Sequence, residues 1–132
     1  MIYTSLGVLV SNRHWYIDFY IQEHENESGI MIQALRDAGI NEENLRVAES
    51  NLLSGNVNNG ITFSNPHNRK SVSIIGITIS PESFIGLLAH ELHHLSVQIA
   101  TSNGLDLEGE DVCYINGDIA QYLYPLCRPL IT

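Results

Sequence analysis

Residues 80–104, SPESFIGLLAHELHHLSVQIATSNG, constrain the fold more than any other stretch of the chain. Ser80 offers a side-chain oxygen to cap a helix. Pro81 suits the first helical position, where a missing N–H costs nothing, and Glu82 suits the positive end of the helix dipole. Phe84, Leu87, Leu88, Leu95 and Ile99 then follow at helical spacing. Asn103 and Gly104 are expected to stop the helix, because glycine enters the left-handed conformation without a steric penalty. A helix is therefore expected across this whole segment.

The rest of the chain falls into place around it. WYIDFYI (residues 15–21) alternates aromatic and β-branched residues with polar ones and reads as a strand, able to pair with residues 2–10 through Ser11-Asn12. ESGIMIQALRDAG (27–39) reads as a helix stopped by Gly39, with Ile30, Ile32, Ala34, Leu35 and Ala38 apolar. Asn41 looks like the N-cap of EENLRVAESNLL, and SGNVNNG (54–60) is turn material. A short strand and a Pro-containing loop lead to SVSIIGITIS (71–80), the strongest strand signal. There the alternation breaks near Gly76, which suggests a bulge or a close backbone approach. A last helix is expected over about 108–123, with Pro125 opposing further continuation. The order β-β-α-α-β-β-α-α argues for an α+β fold. Its expected form is a small mixed or antiparallel sheet against the 80–104 helix and an antiparallel C-terminal helix. One domain over residues 1–132 is expected, with a β/α part over about 1–60 and a metal-site part over about 61–124.

Charge and composition exclude several classes of function. The net charge is -9, with six Lys and Arg residues in 132, and they form no basic stripe that could neutralise phosphates. Nucleic acid and anionic membrane surfaces are therefore not expected partners. No apolar run approaches the length of about 18 needed to span a bilayer, and no basic segment precedes Leu6–Val10 as in a signal peptide. A reducing, cytoplasmic setting is the default expectation. Cys113 and Cys127 lack CxxC spacing. Cys113 is expected to be a buried inert thiol on an apolar helical stripe.

AHELHHL (residues 89–95) carries the chemistry. His90 and His94, four apart on a helix, present two imidazoles on one face about one turn apart, as two ligands of one tetrahedral Zn2+ would be. Glu91 is rotated about 100° from His90. That places it beside a zinc-activated water, as a general base that takes a proton and later delivers it to the leaving amine. A catalytic zinc asks for a third protein ligand, and the acids Asp106, Glu108, Glu110 and Asp111 lie just downstream. Glu110 leads, because Glu110, Tyr114, Gly117 and Gln121 share one stripe of the last helix, opposite the apolar stripe Val112, Ile115, Ile119 and Leu123. Gly117 would then allow close approach of the two helices. His93 could chelate with His90 but is expected to flank the site. Tyr114, ahead of Tyr122 and Tyr124, is the candidate oxyanion stabiliser. His14, His24 and His67 are expected to be ordinary surface or loop residues.

LLAHELHHLSVQIA followed by GEDVCYINGDI resembles the gluzincins, zinc metallopeptidases with an HExxH helix and a glutamate third ligand. The closest likeness is to short single-domain metallopeptidases of phage and mobile genetic elements. Their NPxxRKSVVVIG segment corresponds to NPHNRKSVSIIG here, and their ExxAYLxG segment to residues 110–117. The resemblance implies that His90, His94 and Glu110 bind zinc and that Glu91 is the general base. It further implies a peptide or protein substrate, added as a strand along residues 71–79 as the rim of a cleft. Larger gluzincins often place an acid four residues after the ligand glutamate; this chain has Tyr114 there. A non-catalytic metal-binding or interaction module on the same scaffold is the competing expectation.

Overall fold

The computed structural model describes residues 2–23, 27–53, 60–76 and 78–132. The chain opens with a hairpin in which β1 (Ile2–Val10) and β2 (Arg13–Glu23) pair antiparallel from Ile2↔Ile21 to Val10↔Arg13. Ser11 and Asn12 turn with φ of 53° and 62°. A two-residue hairpin loop needs both values positive, and Asn tolerates that region better than most residues. Two helices follow, α1 (Ser28–Asp37) and α2 (Glu42–Leu53). Gly39 makes the turn between them at φ 79°. Asn41 Oδ1 accepts from Asn44 N at 2.8 Å, capping α2 as expected.

A second antiparallel pair, β3 (Ile61–Asn65) and β4 (Lys70–Gly76), completes a sheet of order β1-β2-β4-β3, with β4 parallel to β2. Then come α3 (Pro81–Ser102), α4 (Glu110–Cys127) and a 3-10 turn at Arg128–Leu130. The result is α+β, four helices and a small mixed four-stranded sheet among the described residues. No described helix is long and apolar enough to cross a membrane.

The sheet has a core on each face. On one side Tyr20, Ile61, Val72 and Ile74 pack with Met31 and Leu35 of α1 and with Leu45, Ala48 and Leu52 of α2. On the other, Trp15, Ile17, Phe19, Ile21 and Ile75 meet Phe84, Leu88, Leu92, Leu95 and Ile99 of α3 and Ile115, Ile119 and Leu123 of α4. β4 is buried on both faces along most of its length, as expected of a strand between two layers.

The loop joining β3 to β4 fastens the layers. Asn65 Nδ2 donates to Ala38 O at 3.1 Å, at the end of α1. Arg69, at φ 50°, sends its guanidinium to Val10 O, Arg13 O, His14 O and Asn103 Oδ1, and covers the Trp15 ring at 5.3 Å. Lys70 pairs with Asp18 at 2.9 Å. Much of the NPHNRK segment therefore has structural work in this fold.

Several expectations are corrected. The strand expected over 71–80 ends at Gly76, and the irregularity lies on β2 between Ile21 and Glu23, opposite Ile75 and Gly76. β4 is paired on both sides, so it cannot be the rim that accepts a peptide strand; β1 and β3 are the edges of the sheet, and β3 is the one next to β4. Helix α4 runs through Pro125 to Cys127. A proline that late removes one N–H, whose acceptor would be the Gln121 carbonyl, and costs little of the helix. Cys113 is exposed and Cys127 is the buried thiol, both unpaired. The buried stripe Val112, Ile115, Ile119, Leu123, Cys127 has Cys113 one residue, about 100°, out of phase. Burial pushes the Cys127 thiol up to about 11.

Candidate metal centre

The site begins with the start of α3. Ser80 Oγ accepts from Ser83 N at 3.0 Å, and Pro81 occupies the first turn. This fixes where the helix begins. Leu88, Leu92, Leu95 and Ile99 go to the core. Glu91 is carried to the β3 side, and His90 and His94 remain exposed.

His90 Nε2 and His94 Nε2 lie 3.1 Å apart, with the rings edge to face at 78°. Two nitrogens bound to one tetrahedral zinc at about 2.0–2.1 Å would lie about 3.3 Å apart. The pair is thus spaced as a bidentate grip, and His90, Glu91 and His94 together form a group whose donor atoms lie within 4.8 Å of one another. The donor set fits a metal such as zinc, which accepts imidazole nitrogen and carboxylate oxygen alike.

Glu91 is only 3% exposed. Burying a carboxylate is costly unless it is hydrogen-bonded, and here Thr62 Oγ1 donates to Glu91 Oε1 at 2.7 Å. The other oxygen, Oε2, lies 3.9 Å from His90 Nε2. Gly60 makes room for this side chain, since a Cβ at position 60 would collide with the Glu91 carboxyl group. A groove of about 310 Å³ opens over the group, lined by Asn51, Gly60, Thr62, His90, Glu91 and His94 among others. It is continuous in residues with a second hollow that adds Ser83, Gly86 and Leu87.

The remaining expected site residues stand elsewhere. α4 runs back along α3 from the other end: Arg69 joins Val10 O to Asn103 Oδ1, and Asp111 and Tyr114 line a separate groove with Leu9, Ser11 and Asn12. From residue 90 to residue 103 along α3 is about 20 Å at 1.5 Å per residue. Glu110, in the first turn of α4, is exposed and outside the His90–Glu91–His94 group, as are Glu108, Asp106 and Asp111. Asp106 is engaged in its own turn, accepting from Glu108 N and Gly109 N. Tyr114 is 65% exposed. Gly117 faces open space, so it does not serve a close helix approach. His93 is exposed and outside the group, His14 stacks on Tyr16, and His67 is exposed. His24 and most of the segment 54–60 lie outside the described residues.

Reasoning from sequence missed Gly60, just before β3, and Thr62 on β3, which enclose the Glu91 carboxyl group, and Gln98 on α3, which donates to the Thr62 carbonyl. A signal was present: Thr62, Ser64, Ser71 and Ser73 place hydroxyls at alternate positions of two neighbouring strands, which marks one polar face. That face points inward.

A different hollow of about 450 Å³ lies on the opposite side of the sheet, between Tyr3, Asp18, Tyr20, Asp37 and Lys70. Burial and then the Asp18 charge push the Tyr20 hydroxyl up to about 12, but no metal-binding group is found there among the described residues. No protein-family model, curated protein or solved structure matches this chain. The chemical reading of the chain therefore rests on the group formed by His90, Glu91 and His94.

Proposed function

We propose that this chain is a zinc-dependent peptidase on a zincin-like scaffold, with His90 and His94 holding the metal and Glu91 as general base. The observation that supports it most is the juxtaposition of two imidazole nitrogens 3.1 Å apart with a buried carboxyl group, one oxygen of which lies 3.9 Å from His90 Nε2. When bound, zinc supplies Lewis acidity that polarises a carbonyl and acidifies water. Glu91 contributes a proton acceptor at Oε2, since Oε1 is already engaged by Thr62. The same oxygen can return that proton to a departing amine. β3 is an open edge beside the groove, and an extended peptide could pair with it main chain to main chain. The resemblance of AHELHHL to gluzincins supports the same reading.

A non-catalytic metal-binding module is the second reading. It is favoured by one observation: Glu110 lies outside the group, so no third ligand comes from α4 in this arrangement. Loading the protein with one equivalent of zinc and comparing wild type with Glu91→Gln on a denatured protein substrate separates the two. A peptidase should retain zinc in the variant and lose cleavage by about 100-fold or more. Equal cleavage by both proteins would remove Glu91 as the base. Stoichiometric zinc in a wild type that cleaves nothing would leave the module.

A further inference from the structure

Between α3 and the β3–β4 hairpin lies a set of polar side chains that the interior should not tolerate singly. Thr62 and Ser73 are buried, as are Ser71 and Glu91. They are joined in two rows, and simple donor and acceptor rules fix the direction of each. A carboxylate oxygen only accepts, so the Thr62 hydroxyl proton goes to Glu91 Oε1 at 2.7 Å. Thr62 Oγ1 must then accept from Ser73 Oγ at 2.9 Å. In the other row an indole N–H only donates, so Trp15 Nε1 gives its proton to Ser71 Oγ at 2.8 Å. Ser71 in turn donates to Ser64, and Ser64 to Gln98 Oε1. The amide of Gln98 donates from Nε2 to Thr62 O at 2.8 Å. Both rows therefore meet at Thr62, the first passing through its hydroxyl to Glu91 and the second ending at its carbonyl.

We infer that Thr62 is a positioning residue for Glu91: it holds Oε1 against β3 so that Oε2 is the oxygen presented beside His90. The inference rests on the reading of Glu91 as the base. Three constraints act on one carboxyl group. Thr62 fixes one oxygen, the Gln98 amide fixes the strand that carries Thr62, and the absent side chain at Gly60 sets the space the group occupies. Because a carboxylate oxygen accepts only, the Thr62 proton is committed to Glu91 and Ser73 donates to Thr62 Oγ1. A valine of the same shape would leave Oε1 without that donor, and the carboxyl group would be free to rotate.

The test compares Thr62→Val and Thr62→Ser in the full chain, with three measurements. Zinc affinity, read by competition with a chromophoric chelator, should stay within about threefold of wild type in both, because His90 and His94 are untouched. Cleavage of a denatured protein should fall by about tenfold or more in Thr62→Val and return to within about threefold in Thr62→Ser, the range for losing one hydrogen bond to a charged group. The side-chain carboxyl carbon of Glu91, followed by NMR in zinc-free protein at one pH, should move in Thr62→Val and stay in place in Thr62→Ser. An unmoved Glu91 signal in Thr62→Val overturns the inference, as does a serine variant that behaves like the valine one. If wild type cleaves nothing, the peptidase reading fails on its own, and the Glu91 signal still decides whether Thr62 positions it. Should Thr62→Val fail to fold, Ser73→Ala takes its place, with a smaller movement of the same signal expected and no movement counting against the inference.

Discussion

One helix, α3, meets one sheet in two chemically different ways. Over β2 the contact is apolar, with Trp15, Ile17, Phe19 and Ile21 in one core with Leu88, Leu92, Leu95 and Ile99. Over β3 and β4 it is built of hydroxyls and an amide around a carboxyl group, with Thr62, Ser64, Ser71 and Ser73 against Glu91 and Gln98. The first half stabilises without direction, since burial of apolar area does not depend on orientation. The second half contributes little net stability, because each hydrogen bond replaces one to water, but it fixes angles. The residues proposed to do chemistry sit on the second half. A site that must hold two imidazoles and a carboxyl group in one geometry needs directional contacts, and the neighbouring apolar half supplies the stability that those contacts lack.

The adjacent residues His94 and Leu95 offer the hardest test of that division. His94→Ala should weaken zinc binding by at least about 100-fold while leaving denaturant stability nearly unchanged, because the ring is exposed. Leu95→Ala should do the reverse, costing about 3 kcal/mol in equilibrium unfolding with zinc affinity preserved in the folded protein, because the side chain is fully buried. If either variant shows the other's phenotype, the two halves are not separate. Ser71→Ala should cost about 1–2 kcal/mol, since it leaves the buried Trp15 N–H without its acceptor. A neutral result would mean that the polar half is less directional than its geometry.

Two smaller effects extend the comparison to the outer regions. Cys113 should react with a disulfide reagent at once and Cys127 only on unfolding, because one is exposed and the other buried with its thiol pushed up to about 11. Two thiols titrating together in the folded protein would contradict the packing of α4. On the opposite face, the raised Tyr20 makes stability pH-dependent. Its hydroxyl ionises near 10 in the unfolded chain and near 12 in the folded one. The unfolded state therefore binds fewer protons in that window, and stability is intact below pH 10 and falls from 10 towards 12. Thermal midpoints measured across this range should fall less steeply in Tyr20→Phe.

Much of the fold could be read from local chemistry. The Ser11-Asn12 turn, the Asn41 and Ser80 caps and the Gly39 and Gly104 stops are each decided by residues within one turn of themselves, so no tertiary information was needed. The buried stripe of α4 followed from its period. Exposure within a helix was less legible: Ile30 and Val47 have the same apolar chemistry as Met31 and Ala48 yet face solvent. Which side of a helix meets the sheet depends on the crossing, not on the residue. Cys113 failed for the same reason, one position out of phase.

The site divides in the same way. Spacing alone puts His90 and His94 on one face, because four residues is close to one turn of any α-helix. Sequence by itself therefore determined the elements, their order and the pairing of the two imidazoles. Only the tertiary structure decided that β3, not β4, forms the edge beside the site, that Thr62 and Gly60 enclose Glu91, and that Glu110 stands at the far end of α3. Those facts depend on how strands order within the sheet and where α4 lands on α3, contacts between residues distant in the chain that no local spacing records.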